Sequence, residues 1–174
     1  MKRGWKRELI SWVFVIVAAF VASYVVRNFV IVNAHVPTGS MRPTIESGTR
    51  LVAFRGSYIF SAPARYDVVV FVSPNDGQTL YVKRIIGLPG DRLDIIDGQV
   101  FIGGSPLALD EWYLLEQPWP QNQSFLVPCG EYFVMGDNRN DSRDSRAWAY
   151  PFMPRENILG RAVFSYFPRP GLIR

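Results

Sequence analysis

"DVVVFVSPNDGQTLYVKRIIGLPGD", residues 67–91, is the stretch whose reading decides the fold. Its opening run, DVVVFV (67–72), has the length and β-branched content of a strand buried on both faces. The turn-forming SPNDG (73–77) follows, LYVKRIIG (80–87) returns as a second strand, and GLPGD (87–91) has the Pro-then-Gly order of a type II turn. Working outward, RLDIIDGQVFI (92–102) sets Asp97-Gly98 between two apolar runs, the strongest short-range hairpin signal. Further strands are expected at EYFVMG (131–136) and GRAVFSYF (160–167). Residues 104–130 carry several prolines and little periodicity, and read as irregular or as an inserted excursion. No amphipathic helix is apparent outside the N-terminal span. The expected fold class is mainly β, an antiparallel domain behind one N-terminal transmembrane helix.

That helix is read from LISWVFVIVAAFVASYVV (9–26), an uncharged run of the length a bilayer core requires. Apolar character continues past Arg27 to Val32. The expected organisation is a basic tail at 1–8, an anchor at 9–32 and an outer β-rich domain at 33–174. The tail holds Lys2, Arg3, Lys6 and Arg7 against Glu8, so most of the formal net charge of +4 resides there and the body is close to neutral. A phosphate-tracking surface is therefore not expected, and nucleic acid is excluded as a main partner. The same asymmetry places the N-terminus in the cytoplasm and the domain outside a cytoplasmic membrane, crossed once. Val32-Asn33-Ala34 also fits a small-residue cleavage rule, so a removed signal peptide is the rival to an uncleaved anchor. FRGSYIF (54–60) reads either as aromatic contact with the membrane interface or as core. The single Cys129 excludes an intramolecular disulfide and reads as a packed residue beside a turn.

Three segments carry candidate chemistry. VPTGSMRPTI (36–45) presents Ser40 between two prolines, and a serine hydroxyl needs an adjacent base to act as a nucleophile. The only histidine, His35, lies five residues away and is poorly placed for a Ser-His-Asp arrangement. Lysine usage is more informative. Of 19 basic residues the lysines are Lys2, Lys6 and Lys83, so Lys83 is the only lysine beyond the expected anchor. Arginine keeps its proton, whereas a lysine buried among Tyr81, Val82, Ile85 and Ile86 can lose it and serve as a base. Strand alternation would point Lys83 and Arg84 to opposite faces. The third segment, MGDNRNDSRDSR (135–146), fails as a calcium loop: counted from Asp137, position 3 is Arg139, position 6 is Ser142 and position 12 is Trp148. Its interleaved Asp and Arg read as a solvated loop or as paired charges supporting a site.

PTGSMRPT around Ser40, RYDVVVF (65–71), YVKRIIGLPGD (81–91) and GDNRNDSRDSR (136–146) together resemble the bacterial type I signal peptidases, membrane-anchored Ser/Lys endopeptidases, in motif order and over nearly the whole chain. The resemblance implies a barrel-like β domain with no metal or other cofactor, acting on signal peptides of exported preproteins after small residues. It implies Ser40 as nucleophile, Lys83 as general base, and the Ser40 N–H with the Thr38 hydroxyl as oxyanion hole. Ser142 would hold the lysine, with Asp144 and Arg146 as a supporting ion pair, and Val36, Met41, Tyr81 and Val82 would line the substrate pockets. Thr38, Tyr66 and Asn140 depart from the commoner Ser, Gly and Asp. A specialised processing peptidase of a secretion or conjugation system, and a non-catalytic tethered domain, are the alternatives.

Overall fold

The computed structural model describes residues 4–174, so Lys2 and Arg3 of the basic tail lie outside the described residues. Helix α1, Gly4–Val25, would span about 33 Å at 1.5 Å per residue, matching a hydrocarbon core of about 30 Å. The side chains described along it are all exposed to the surroundings, so it packs against no other part of the chain. One wider turn, Val26–Val30, then leads directly into the first strand with no linker.

Eleven strands follow: β1 Ile31–Val36, β2 Thr49–Phe54, β3 Val68–Val72, β4 Leu80–Gly87, β5 Arg92–Ile96, β6 Gln99–Ile102, β7 Gln123–Leu126, β8 Glu131–Met135, β9 Met153–Pro154, β10 Ile158–Phe167 and β11 Gly171–Leu172. The large sheet runs β1-β2-β10-β3-β4-β8-β9 with β11 added to β10, and a small sheet runs β6-β5-β7. Every pairing is antiparallel. Register shifts along β10 at Ile158/Gly160, Ala162/Phe164 and Ser165/Phe167 mark irregularities of the kind that bend a strand.

The continuous apolar runs are explained by what lies on each side of them. Val68 and Val70 of β3 enter one core cluster with Val36, Met41 and Leu51, while Val69 and Phe71 enter a second with Ile85 and Trp148. In β8, Tyr132 and Val134 face that second cluster, and Phe133 and Met135 face a third with Leu93 and Ile95. A strand between two cores has no solvent face, so it loses the polar alternation. Each large side chain so buried contributes about 1.5–3 kcal/mol, and truncating Phe71 to Ala would cost about 3–5 kcal/mol.

The two expected turns form as read. Gly90, with φ +86°, follows Pro89 in a turn closed by the Asp91 N–H on the Leu88 carbonyl at 3.0 Å. Asp97 and Gly98, with φ of 50° and 81°, join Ile96 to its partner Gln99. Two expectations are corrected. The helical segment ends at Val30, and Ile31 and Val32 belong to β1, which pairs residue by residue with β2 from Ile31↔Phe54 to Val36↔Thr49. Neither strand is evident in the sequence, because β1 continues the apolar run of the helix and Arg50 interrupts β2. Within 104–130, β7 is regular structure and completes the small sheet.

Candidate active site

Ser40 sits in the turn after β1, where the Arg42 N–H meets the Gly39 carbonyl at 3.1 Å. Lys83 lies mid-strand in β4, paired with Val69 of β3, and Ser40 and Lys83 are nearly buried, at 8% and 5% exposure. The Lys83 Nζ is 2.6 Å from Ser40 Oγ and 3.0 Å from Ser142 Oγ. The Thr38 Oγ1 is 3.3 Å from Ser40 Oγ. Burial pushes the Lys83 amine down from 10.5 to about 8, against the pull of the Asp144 carboxylate, while Arg146 adds to the lowering.

The neighbouring Arg84 projects the other way and is wholly buried. It grips Asp137 through Nε and Nη2 at 2.8 and 2.6 Å, and Asp137 also accepts the Thr44 hydroxyl. The Tyr113 ring lies 4.2 Å from the Arg84 guanidinium. Asn138 donates its backbone N–H to the Ser40 carbonyl at 3.1 Å and its side-chain amide to the Gly39 carbonyl at 3.2 Å. The loop after β8 thus holds the serine turn against β4. Asp144 accepts two bonds from the Arg146 guanidinium, one from the Arg146 backbone N–H and one from the Gly136 N–H. Burial by itself would raise the Asp144 carboxyl, but Arg146 and that N–H hold it below the usual carboxylate range.

The chain matches the family model described as "Signal peptidase, peptidase S26" over residues 9–167. It is 40% identical over 160 residues to a probable signal peptidase I-1 of Synechocystis, covering 88% of this chain and 80% of that protein. It is 39% identical to a signal peptidase I of Leptolyngbya laminosa, covering 82% and 72%. With a signal peptidase IB of Staphylococcus aureus it shares 31% identity, covering 94% and 92%. A solved signal peptidase I from Enterococcus faecalis superposes with a TM-score of 0.49 at 32% identity, covering 58% of this chain and 97% of that one.

The chain belongs to the signal peptidase family, peptidase S26.

As a member of this signal peptidase family it is a serine endopeptidase. A cleft of about 410 Å³ opens over the Ser40–Lys83 contact, with Val36, Tyr81 and Val82 on its walls beside Pro37 and Leu80. Met41, the fourth residue read as pocket wall, lies instead in the core cluster that contains Val36 and Val82, with no exposed surface. His35 lines the cleft and makes no hydrogen bond to Ser40 among the described residues. Sequence reasoning missed Glu111 and Tyr113, which bind Arg139 from the excursion and tie it to the loop that carries Ser142. The Asp-Glu-Trp-Tyr stretch that holds them bears no periodicity that would mark them out.

Proposed function

We propose that this protein removes signal peptides from exported preproteins, cutting after small side chains, with Ser40 as nucleophile and Lys83 as base. The observation that carries the reading is the 2.6 Å contact between Ser40 Oγ and a buried lysine amine on the floor of an apolar cleft. The neutral amine takes the hydroxyl proton as Oγ attacks the scissile carbonyl. The Ser40 N–H and the Thr38 hydroxyl receive the developing oxyanion. The ammonium then gives its proton to the leaving amine, and the amine, neutral again, activates the water that opens the acyl-enzyme. Ser142 holds Nζ in line, and the Asp144–Arg146 pair supports the loop that carries Ser142. Walls made by Val36, Tyr81 and Val82 suit alanine and reject long or charged side chains at the pocket positions.

The topology of the chain favours a substrate held at a membrane. Helix α1 leads through the single wider turn Val26–Val30 into β1, and Ser40 follows four residues after that strand. The wider turn that ends the helical segment packs against the turn Arg55–Tyr58. Beside it Phe60 is 98% exposed and Phe54 and Ile59 are also exposed, an apolar edge suited to the lipid interface. In this reading the N-terminus is cytoplasmic, the domain is extracytoplasmic and the anchor is retained. The Ala34–His35 bond lies within a fully paired strand, which argues against cleavage there.

The test is cleavage of a purified preprotein by the detergent-solubilised full chain, with sequencing of the new N-terminus. Wild type should cut after a small residue, and Ser40→Ala and Lys83→Ala should abolish the cut, the latter by at least about 10²- to 10⁴-fold. Cleavage that survives either substitution would sink the dyad.

A further inference from the structure

The segment Asp137–Arg146 contains six charged side chains, and the structure sorts them into two groups. Asp137 pairs with Arg84, Arg139 with Glu111, and Asp144 with Arg146, so four of the six are committed to ion pairs. Asp141 and Arg143 make no ion pair and no side-chain hydrogen bond among the described residues. Both are exposed, and both line the cleft that holds Ser40 and Lys83. Local backbone geometry accounts for this. Ser142 follows the short turn Arg139–Asp141 in an extended conformation, φ −134° and ψ 123°. Side chains flanking an extended residue point away from it, so Ser142 reaches Lys83 while Asp141 and Arg143 share the other side.

The two have different prospects. The Asp141 carboxylate already acts on Lys83, raising its proton affinity. Arg143 is the one permanently charged cation lining the cleft among the described residues, since the lysine works in its neutral form. The remaining walls near it are apolar or uncharged, apart from Asp141 and His35. We propose that Arg143 is a specificity-determining residue that favours substrates with an acidic side chain next to the scissile bond, outside the small-residue pockets. The inference rests on the peptidase reading above. A guanidinium matches a carboxylate with two parallel N–H donors, and its long stem lets it meet a side chain that itself points out of the pockets.

The experiment uses preproteins with an Ala-x-Ala site carrying Glu, Ala or Lys at the second residue before the cut, or at the first or second after it. Each is cleaved by full-length wild type, Arg143→Lys and Arg143→Glu enzymes in detergent, and the Glu-to-Lys ratio of kcat/KM is compared within each enzyme. At one of these positions wild type should favour Glu by about fivefold, as a solvent-exposed ion pair can supply. Arg143→Lys should keep the sign of that preference, and Arg143→Glu should lose or invert it. A wild-type ratio near one at all three positions, or a ratio unmoved in Arg143→Glu, overturns the proposal. If wild type cuts the Ala substrates but shows no charge preference, only this inference falls. If wild type cuts none of them, the peptidase reading falls and takes the inference with it.

Discussion

Gly136 passes so close to Ser142 that a β-carbon at position 136 would overlap the Ser142 hydroxyl, and it would overlap the Ser40 carbonyl oxygen as well. The glycine is therefore required by its neighbours rather than by its own backbone angles. Its N–H also anchors Asp144, so one small residue touches the Ser40 turn, the second hydroxyl partner of Lys83 and the Asp144–Arg146 pair. Gly136→Ala should lower kcat/KM by about 10²-fold or more, the scale expected for an ångström of misplacement. Steady-state cleavage measures it, and near-normal turnover would mean that the loop shifts without disturbing the Ser40–Lys83 contact.

The acid limb of the pH profile should report Lys83. With its amine at about 8, kcat/KM should rise with pH to a midpoint near that value, because only the neutral amine can accept the serine proton. The Asp141 carboxylate stabilises the ammonium, so Asp141→Asn should move the midpoint to lower pH. A midpoint near 10.5 in wild type would show a solvated lysine and contradict the burial argument.

Lys83 should also weaken the fold. Its folded value lies below the ordinary 10.5, so between about pH 8 and 10.5 the unfolded chain binds a proton that the folded enzyme has released. Stability therefore rises with pH across that window, and the cost of burying the amine is complete below it. Lys83→Met should be more stable than wild type at pH 7 by on the order of 3 kcal/mol, at about 1.36 kcal/mol per pKa unit. The advantage should fade by pH 10.5. Thermal unfolding of both proteins in detergent at the two pH values provides the comparison.

Asp144 and Arg146 form a pair with 0% and 7% side-chain exposure. Asp144→Asn leaves the guanidinium without its counter-charge and should cost about 3–5 kcal/mol. Replacing both residues, as Asp144→Asn with Arg146→Met, should be less damaging than the single change, because no unpaired charge stays buried. A double-mutant cycle of unfolding free energies decides the point. A double-variant loss equal to the sum of the Asp144→Asn and Arg146→Met losses would mean that the pair contributes no coupling.

Thr38 stands 3.3 Å from Ser40 Oγ with its hydroxyl free of any other partner among the described residues. As an oxyanion donor its replacement by Val should lower kcat by about 10²- to 10³-fold with little change in KM, and Thr38→Ser should retain the activity. Loss in both variants would point to packing of the threonine methyl instead.

The strands over 68–72 and 131–135 were legible because a strand buried on both faces leaves a nearly continuous apolar run, and 80–87 because apolar residues flank Lys83 and Arg84 on both sides. Both turns were legible because Pro-Gly and Asp-Gly restrict φ locally. Strand β1 was not, since its apolar residues adjoin those of a membrane helix and only pairing with β2 distinguishes the two. The Ser40–Lys83 candidate could be inferred from lysine usage and from the family motifs. The position of Met41 could not, because whether a residue near a cleft lines it or lies behind it depends on which neighbours cover it.

Local chemistry along the chain was enough to establish the apolar span, the principal strands and the turn geometry, and together with the family motifs it nominated Ser40 and Lys83 as candidate nucleophile and base. Those properties depend on residues close in sequence, through steric limits, side-chain period and intrinsic acidity. The partners of Asp137 and Arg139 were decided by tertiary structure alone. Arg84 and Glu111 come from distant segments, and their arrival buries Asp137 and Arg139 while Asp141 and Arg143 stay in the cleft. Folding likewise set the acidity of Lys83, because desolvation depends on what the rest of the chain places around the amine.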